Sequence, residues 1–206
     1  VKAQYMPVVF DKVYGDKNQI QLVCPLPGDE VALVGKEGQK YNLTWVEREG
    51  GVIFSLPLTG FTAVNEIVEL DNSRVLVVGQ SSVPNVKGKK DKITLCGRIV
   101  VINRGGRIVS DIYAGDQGSN FLKGMLLRSG AFVVSGSEPK GADGRQGILL
   151  KLDPTGSVVY QYKNAGGGYC DQFAVMGNSI EYICAAFSAG KDKEQALVVR
   201  LDDKGK

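Results

Sequence analysis

At 206 residues, 43% of them apolar, the chain is long enough to bury a core in one domain. Its net charge of +3 excludes a polyanion binder acting through overall charge, and the complete lack of histidine excludes Ser/His/Asp and Cys/His nucleophile pairs and the commonest metal ligand. The 27 glycines and scarce Ala/Leu/Glu runs point to short strands joined by turns, and no apolar run reaches the roughly 18 residues that a membrane helix needs.

The chain opens at Val1 without a charged and apolar leader, which reads as a mature product whose signal peptide has been removed. The first predicted element is a strand over residues 7–14, Pro7 to Tyr14, with no hairpin partner beside it. Four repeats follow, at approximately 18–59, 64–114, 121–163 and 170–206, within a single domain of residues 1–206. Each repeat reads as two hairpins, strands a and b and then strands c and d. The a–b turns fall at Pro27-Gly28-Asp29, Asp71-Asn72-Ser73, Arg128-Ser129-Gly130 and Gly177-Asn178-Ser179. The b strands after them, such as Val75–Gly79 and Phe132–Gly136, are almost continuously apolar, as expected of strands covered on both faces. The c–d turns align on Gly51, Gly106, Gly156 and Gly205, with spacings of 55, 50 and 49 residues.

A period near 50 residues matches one four-stranded propeller blade. The chain stops after strand c of its fourth repeat, while Pro7–Tyr14 resembles a spare strand d. The expected fold is therefore all-β: a β-propeller of about four four-stranded blades, the last closed by the N-terminal strand. Such pairing removes two exposed sheet edges. A fragment of a larger propeller is the alternative; a two-sheet sandwich would not require so regular a period.

The third repeat carries a family resemblance. Gln146-Gly147-Ile148-Leu149-Leu150-Lys151-Leu152-Asp153-Pro154-Thr155-Gly156-Ser157-Val158-Val159-Tyr160 resembles the blade motif of bacterial SBBP-type and related propeller repeats. A Gly-rich link, Ala165-Gly166-Gly167-Gly168, follows it, and Ala196–Gly205 repeats the pattern; the first two repeats lack the Lys-Leu-Asp core. The resemblance implies a secreted, periplasmic or cell-surface protein that binds rather than catalyses. Fold alone does not establish function.

On such a scaffold the b–c loops and d–a links emerge on one face. The b–c loops at 80–97, 137–147 and 187–195 read as long and unlike one another, and variable loops on a rigid frame commonly carry function. They hold Lys87, Lys89, Lys90 and Lys92, then Lys140 and Arg145, then Lys191 and Lys193, with Lys36 and Lys40 in the first repeat; Glu37, Asp91, Glu138, Asp143, Asp192 and Glu194 oppose them. The d–a links add Asp16, Asp116, Asn120, Tyr169 and Asp171 near the channel mouth.

The expected ligand is a protein or an anionic glycan. Nucleic acid is not expected, because aromatic residues do not interleave with the lysines. No catalytic residue, metal or cofactor is assigned, and a monomer is expected. Two alternatives remain: a polysaccharide hydrolase or lyase using channel-mouth carboxylates, and a structural domain of a larger cell-envelope protein.

Cys24, Cys96, Cys170 and Cys184 show no zinc-type spacing and read as thiols packed in the core, with Cys184 opposite Phe173 across a tight hairpin. Trp45 occupies a core position of strand c, and the sequon Asn42-Leu43-Thr44 lies where that strand begins.

Overall fold

The computed structural model describes residues 19–71, 73–83, 94–141, 144–164, 169–176, 182–189, 195–202 and 204–205, with the backbone alone for 169–198. The expected closing strand at 7–14 lies outside the described residues. Those described form antiparallel strands in four sheets, each a meander in chain order. Sheet one is β1 (Gln19–Leu26), β2 (Glu30–Glu37), β3 (Lys40–Val46) and β4 (Val52–Pro57). Sheet two is β5 (Phe61–Asp71), β6 (Arg74–Val83), β7 (Thr94–Asn103) and β8 (Ile108–Ala114). Sheet three is β9 (Asn120–Leu126), β10 (Phe132–Lys140), β11 (Gly144–Leu152) and β12 (Val158–Lys163). Sheet four has three described strands, β13 (Tyr169–Met176), β14 (Tyr182–Ala189) and β15 (Gln195–Leu201). Among the described residues no helix is long and apolar enough to cross a membrane.

One turn chemistry recurs between the third and fourth strands. In Glu47–Gly50, Asn103–Gly106, Asp153–Gly156 and Asp202–Gly205, the glycine N–H donates to the first residue's carbonyl at 2.9–3.1 Å. The four glycines have φ of 78°, 75°, 92° and 77°, a left-handed conformation that costs glycine little. In the first three sheets the register slips beside the turn, the signature of a type I turn followed by a bulge. Asp153 Oδ1 accepts from the backbone N–H of Thr155 at 2.8 Å and of Ser157 at 2.9 Å, and Asn103 Oδ1 accepts in the same way from Gly105 and Arg107.

In the first repeat the turn glycine is Gly50 rather than the expected Gly51, so the spacings become 56, 50 and 49. Either glycine of the doublet suits a turn, and the bond back to Glu47 decides which one takes it. At Gly51 a Cβ would meet only the exposed Glu47 side chain, which can swing aside.

The turn glycines also set how the sheets stack. A Cβ on Gly106 would lie 3.0 Å from the Phe54 ring in β4, one on Gly156 2.5 Å from Ser110 Oγ in β8, and one on Gly205 2.8 Å from Tyr160 in β12. Each turn thus lies against the fourth strand of the preceding sheet. The first strands also neighbour one another in series, β1 by β5, β5 by β9 and β9 by β13.

The core follows from this stacking and the two-residue period of a strand. Val75 and Val77 of β6, with Val100 and Ile102 of β7, face Ala32, Val34, Leu43 and Trp45 of sheet one. The alternate residues Leu76, Val78, Ile99 and Val101 face Phe132, Val134, Ile148 and Leu150 of sheet three. Val133 and Leu149 of sheet three turn the other way, to a cluster shared with Leu201 of sheet four. Near-continuous apolar runs in β6 and β10 therefore reflect cover on both faces. Sheet one differs: it packs one face on sheet two, while Ile20 and Val23 of β1 stay 50% and 58% exposed.

Polar groups reinforce the stack. Trp45 is fully buried and donates its indole N–H to Glu30 Oε2 at 2.7 Å. Arg104, in the turn of sheet two, reaches the same carboxylate at 2.5–3.0 Å and holds its pKa below the usual range. Cys24 and Cys96 are free and buried, and burial pushes both thiols up, which suits inert packing groups. Across β13 and β14, Cys184 pairs with Ala174 and not with Phe173, because five residues separate the strands where a tight turn was expected.

A contact of this kind is testable by comparing two alanines. Gly38 has φ +58° and open space around its Cβ position, so Gly38→Ala should cost only the left-handed strain, about 1–2 kcal/mol. Gly156→Ala should cost about 1–3 kcal/mol more, because its methyl also overpacks β8. Urea denaturation measures the difference; equal losses would remove the stacking role of the turn.

Candidate functional site

The second-to-third-strand turns and the links from each fourth strand to the next first strand lie at one end of the sheets. The link between β4 and β5 is tied down along its length. Leu58 N–H donates to Tyr41 O at 2.8 Å, and Gly60 O accepts from Ser81 Oγ at 2.6 Å and from Ser82 N–H at 2.9 Å. Arg98, buried in β7, donates to Thr59 O at 2.5 Å and grips Asp111 through two nitrogens at 2.7 and 2.8 Å. Its guanidinium also lies 4.8 Å from the Phe61 ring centre and 5.0 Å from that of Tyr113. A flat cation flanked by rings and paired with a carboxylate is a stable way to bury a charge.

The link between β8 and β9 is held by sheet three. Glu138, fully buried in β10, accepts from Lys163 Nζ at 2.5 Å, Gln146 Nε2 at 2.6 Å and Asp116 N–H at 3.2 Å. Lys163 also meets the exposed Asp116 carboxylate at 3.2 Å. The Glu138 hydrogen bond is the main reason that the Lys163 ammonium is held above its ordinary pKa. Arg145 donates to Ser137 Oγ at 2.8 Å and to Gly118 O at 3.0 Å. Direct bonds also join the sheets here: Asn65 Nδ2 to Asn120 Oδ1 at 2.7 Å, Gln80 Nε2 to Ser119 O at 3.1 Å, and Gly118 N–H to Leu95 O at 2.6 Å.

Each first strand carries a bulge in its half nearer this end, at Gln21, Asn65, Leu122 and Asp171. Facing glycines make room for it: a Cβ on Gly79 or Gly136 would fall within 2.0–2.1 Å of the opposing carbonyl. Bulges at such rims re-aim side chains, as Asn65 illustrates by crossing to sheet three.

Of the site residues expected from sequence, Asp116 and Arg145 both lie beside sheet three, Asp116 bonded to Glu138 and Lys163 and Arg145 to Ser137 and Gly118. Asn120 opens β9 and is held by Asn65. Lys140 ends β10 on the exposed surface. The expected loop at 137–147 is largely a ladder, with Ser137 to Lys140 paired to Gly147 to Gly144. Pro139, Gly144 and Gly147 read as loop residues, yet they continue the two strands. Glu138, taken as a loop anion, is buried for the same reason. Likewise Lys36 and Lys40 flank a tight turn at Gly38. Tyr169 and Asp171 lie in β13, with side chains outside the described residues; Lys87, Lys89, Lys90, Lys92, Lys191 and Lys193 lie outside them altogether.

Two recesses open beside the Gly38 turn. One, of about 360 Å³, is lined by residues 39–42 and 57–61; Tyr41, Leu58 and Phe61 supply apolar walls, and Lys40, Asn42 and Gln39 supply donors. The other, of about 300 Å³, is lined by Gln19, Gln21, Lys36 and Gly38. Lys36 Nζ lies 5.1 Å from the Tyr41 ring centre, so one aromatic residue bridges the two. Neither lining includes a carboxylate. Sequence reasoning placed both lysines on this face but had no signal for the recesses, which depend on how link 57–61 folds back on β3. Among the described residues no cluster of His, Cys, Asp or Glu is arranged to hold a metal.

No protein-family model and no curated protein matches the chain. Solved structures do. A protein of unknown function from Bacteroides caccae is 15% identical with a TM-score of 0.50, over 96% of this chain and 68% of that one. A subtype N10 neuraminidase-like protein of A/little yellow-shouldered bat/Guatemala/060/2010 is 11% identical with a TM-score of 0.54, over 93% and 58%. Drosophila Plexin A, in complex with Semaphorin 1b, is 12% identical with a TM-score of 0.51, over 90% and 40%. The chain therefore has a propeller-like all-β fold and spans little more than half of the neuraminidase-like protein and less than half of the plexin.

The Glu138–Lys163 pair makes a direct prediction. Removing the ammonium in Lys163→Met leaves a buried carboxylate unmatched and should cost about 2–4 kcal/mol at pH 7. The folded pKa of Lys163 lies above the unfolded value near 10.4, so this stabilisation is complete below that pH and fades as pH rises through the folded value. Thermal unfolding of both proteins between pH 7 and 11.5 should show their midpoints converging at the alkaline end; a constant gap would contradict the assignment.

Proposed function

We propose that this protein is a non-catalytic binding or scaffold module that takes a protein or an anionic glycan on the loop face. The observation that carries the reading is the division of labour on that face. Its buried charges are consumed in fixing the links, while an open recess of about 360 Å³ with lysine and amide donors remains between them. That volume falls in the range of small-ligand sites.

The hydrolase or lyase reading gains no support from the described carboxylates. Asp116 and Glu138 share Lys163, whereas an acid/base pair needs one carboxyl kept protonated and the other ionised and unclaimed. A role as a structural domain of a larger cell-envelope protein is favoured by one feature of the described residues, the half-exposed Ile20 and Val23 of sheet one, which under this reading would meet another domain.

In the finer architecture that goes with this proposal, the four sheets are blades of one propeller. The segment Pro7–Tyr14 supplies the fourth strand that sheet four lacks and brings sheet four against sheet one. Two features of the described residues accord with it: sheet four has three described strands, and Ile20 and Val23 of sheet one are half exposed. Secretion or display at the cell surface accords with the repeat motif and is part of the same proposal.

A panel of acidic and neutral glycans with polyglutamate as an acidic protein mimic tests the binding role. Acidic members should be retained with a salt-sensitive affinity. Combined Lys40→Glu and Lys140→Glu should cut retention at least tenfold, and Val159→Asp on β12 should leave it unchanged. No retention, or loss through the β12 substitution alone, would overturn the proposal.

A further inference from the structure

Resting on that reading, we infer that the paired recesses at the Gly38 turn bind two consecutive units of an acidic polysaccharide of the uronate type. Each recess offers the same equipment, one lysine and two amide side chains: Lys40 with Gln39 and Asn42 in the first, Lys36 with Gln19 and Gln21 in the second. A uronate unit presents one carboxylate and several hydroxyls, which calls for one cation and neutral hydrogen-bonding partners. Amides both donate and accept, so they suit hydroxyls.

The lysines are available for this work. Lys163, Lys123, Arg98 and Arg104 are all committed to carboxylates, but neither Lys36 nor Lys40 forms an ion pair with a described residue. Tyr41, Leu58 and Phe61 line the first recess as core residues only 4–5% exposed, so they form its firm apolar base, and the polar side chains at its rim make the contacts to the sugar. The second recess lies on the β1 side of the turn and the first on the β3 side. Two strand spacings separate β1 from β3, about 10 Å, which is the scale of a disaccharide.

The floor is rigid before any ligand arrives. Link 57–61 is fixed by Tyr41, Ser81, Ser82 and Arg98, so little ordering cost falls on binding. Lys40 pairs in register with Glu37, whose exposed carboxylate weakens the field at the turn.

Calorimetric titration with α-1,4-linked tetragalacturonate, and with maltotetraose as the neutral counterpart, tests the inference. Tetragalacturonate should bind and maltotetraose should not. Lys36→Gln and Lys40→Gln should each weaken binding about tenfold without moving the unfolding midpoint, Glu37→Gln should strengthen it several-fold, and Lys140→Gln should change it little. Binding weakened by Lys140→Gln but not by Lys36→Gln or Lys40→Gln would overturn this site while leaving the loop-face reading intact. Retention of polyglutamate with no binding of tetragalacturonate would overturn the glycan assignment and leave a protein ligand. Absence of both would remove the binding role itself.

Discussion

The structure depends on sheets lying flat against sheets. A four-stranded antiparallel sheet with apolar residues at every position of its middle strands has two faces to bury. Sheets two and three bury both: Val75 to Val78 and Ile99 to Ile102 are covered from either side by alternate residues. At roughly 1.5–3 kcal/mol for each large side chain taken from water, no other set of contacts in the molecule is comparable. The glycine turns serve this stacking twice. Their left-handed residue closes the hairpin, and the missing side chain lets the turn rest on the preceding fourth strand.

Because stacking fixes the sheets, their ends become a firm platform. The loop face is unusual in how much charge it buries. Arg98 and Glu138 are interior residues, and each is matched to its surroundings by several short hydrogen bonds. Such groups contribute little net stability against apolar substitutes, but they define one geometry for the links that they hold. The recesses beside Gly38 inherit that geometry. Rigid walls beside Lys36 and Lys40 suit a selective binding face, and the same logic leaves Asp116 and Glu138, both paired with Lys163, poor candidates for acid/base chemistry.

Much of the fold was legible in the sequence, because the relevant signals are local. Turn glycines at a period near 50, flanked by apolar runs of strand length, specify hairpins and their order. The four-strand rhythm needs only the pleat and the turn to be read. Local signals failed where a choice depended on partners in space. Gly50 and Gly51 are equivalent until the bond to Glu47 is known. Pro139, Gly144 and Gly147 resemble a loop until the ladder is seen to continue through them. Glu138 and Arg145 looked like loop charges, because the burial of Glu138 and the half-burial of Arg145 depend on Lys163, Gln146 and Gly118, which are remote in sequence or lie on a different strand. The recesses were illegible for the same reason: Tyr41 and Phe61 meet only after sheets one and two have packed.

The two ends of the stack remain the decisive feature. Among the described residues sheet four has three strands where the other sheets have four, and Ile20 and Val23 of sheet one are half exposed where the matching positions of sheets two and three are packed. If the stack is one body closed on itself, the N-terminal segment adds a fourth strand to sheet four and brings sheet four over the exposed side of sheet one. The most direct measurement is deletion of residues 1–15, followed by light scattering and thermal unfolding. The account predicts that the shortened chain self-associates and loses several degrees of its unfolding midpoint. A shortened chain that stays monomeric and equally stable would contradict closure by this segment.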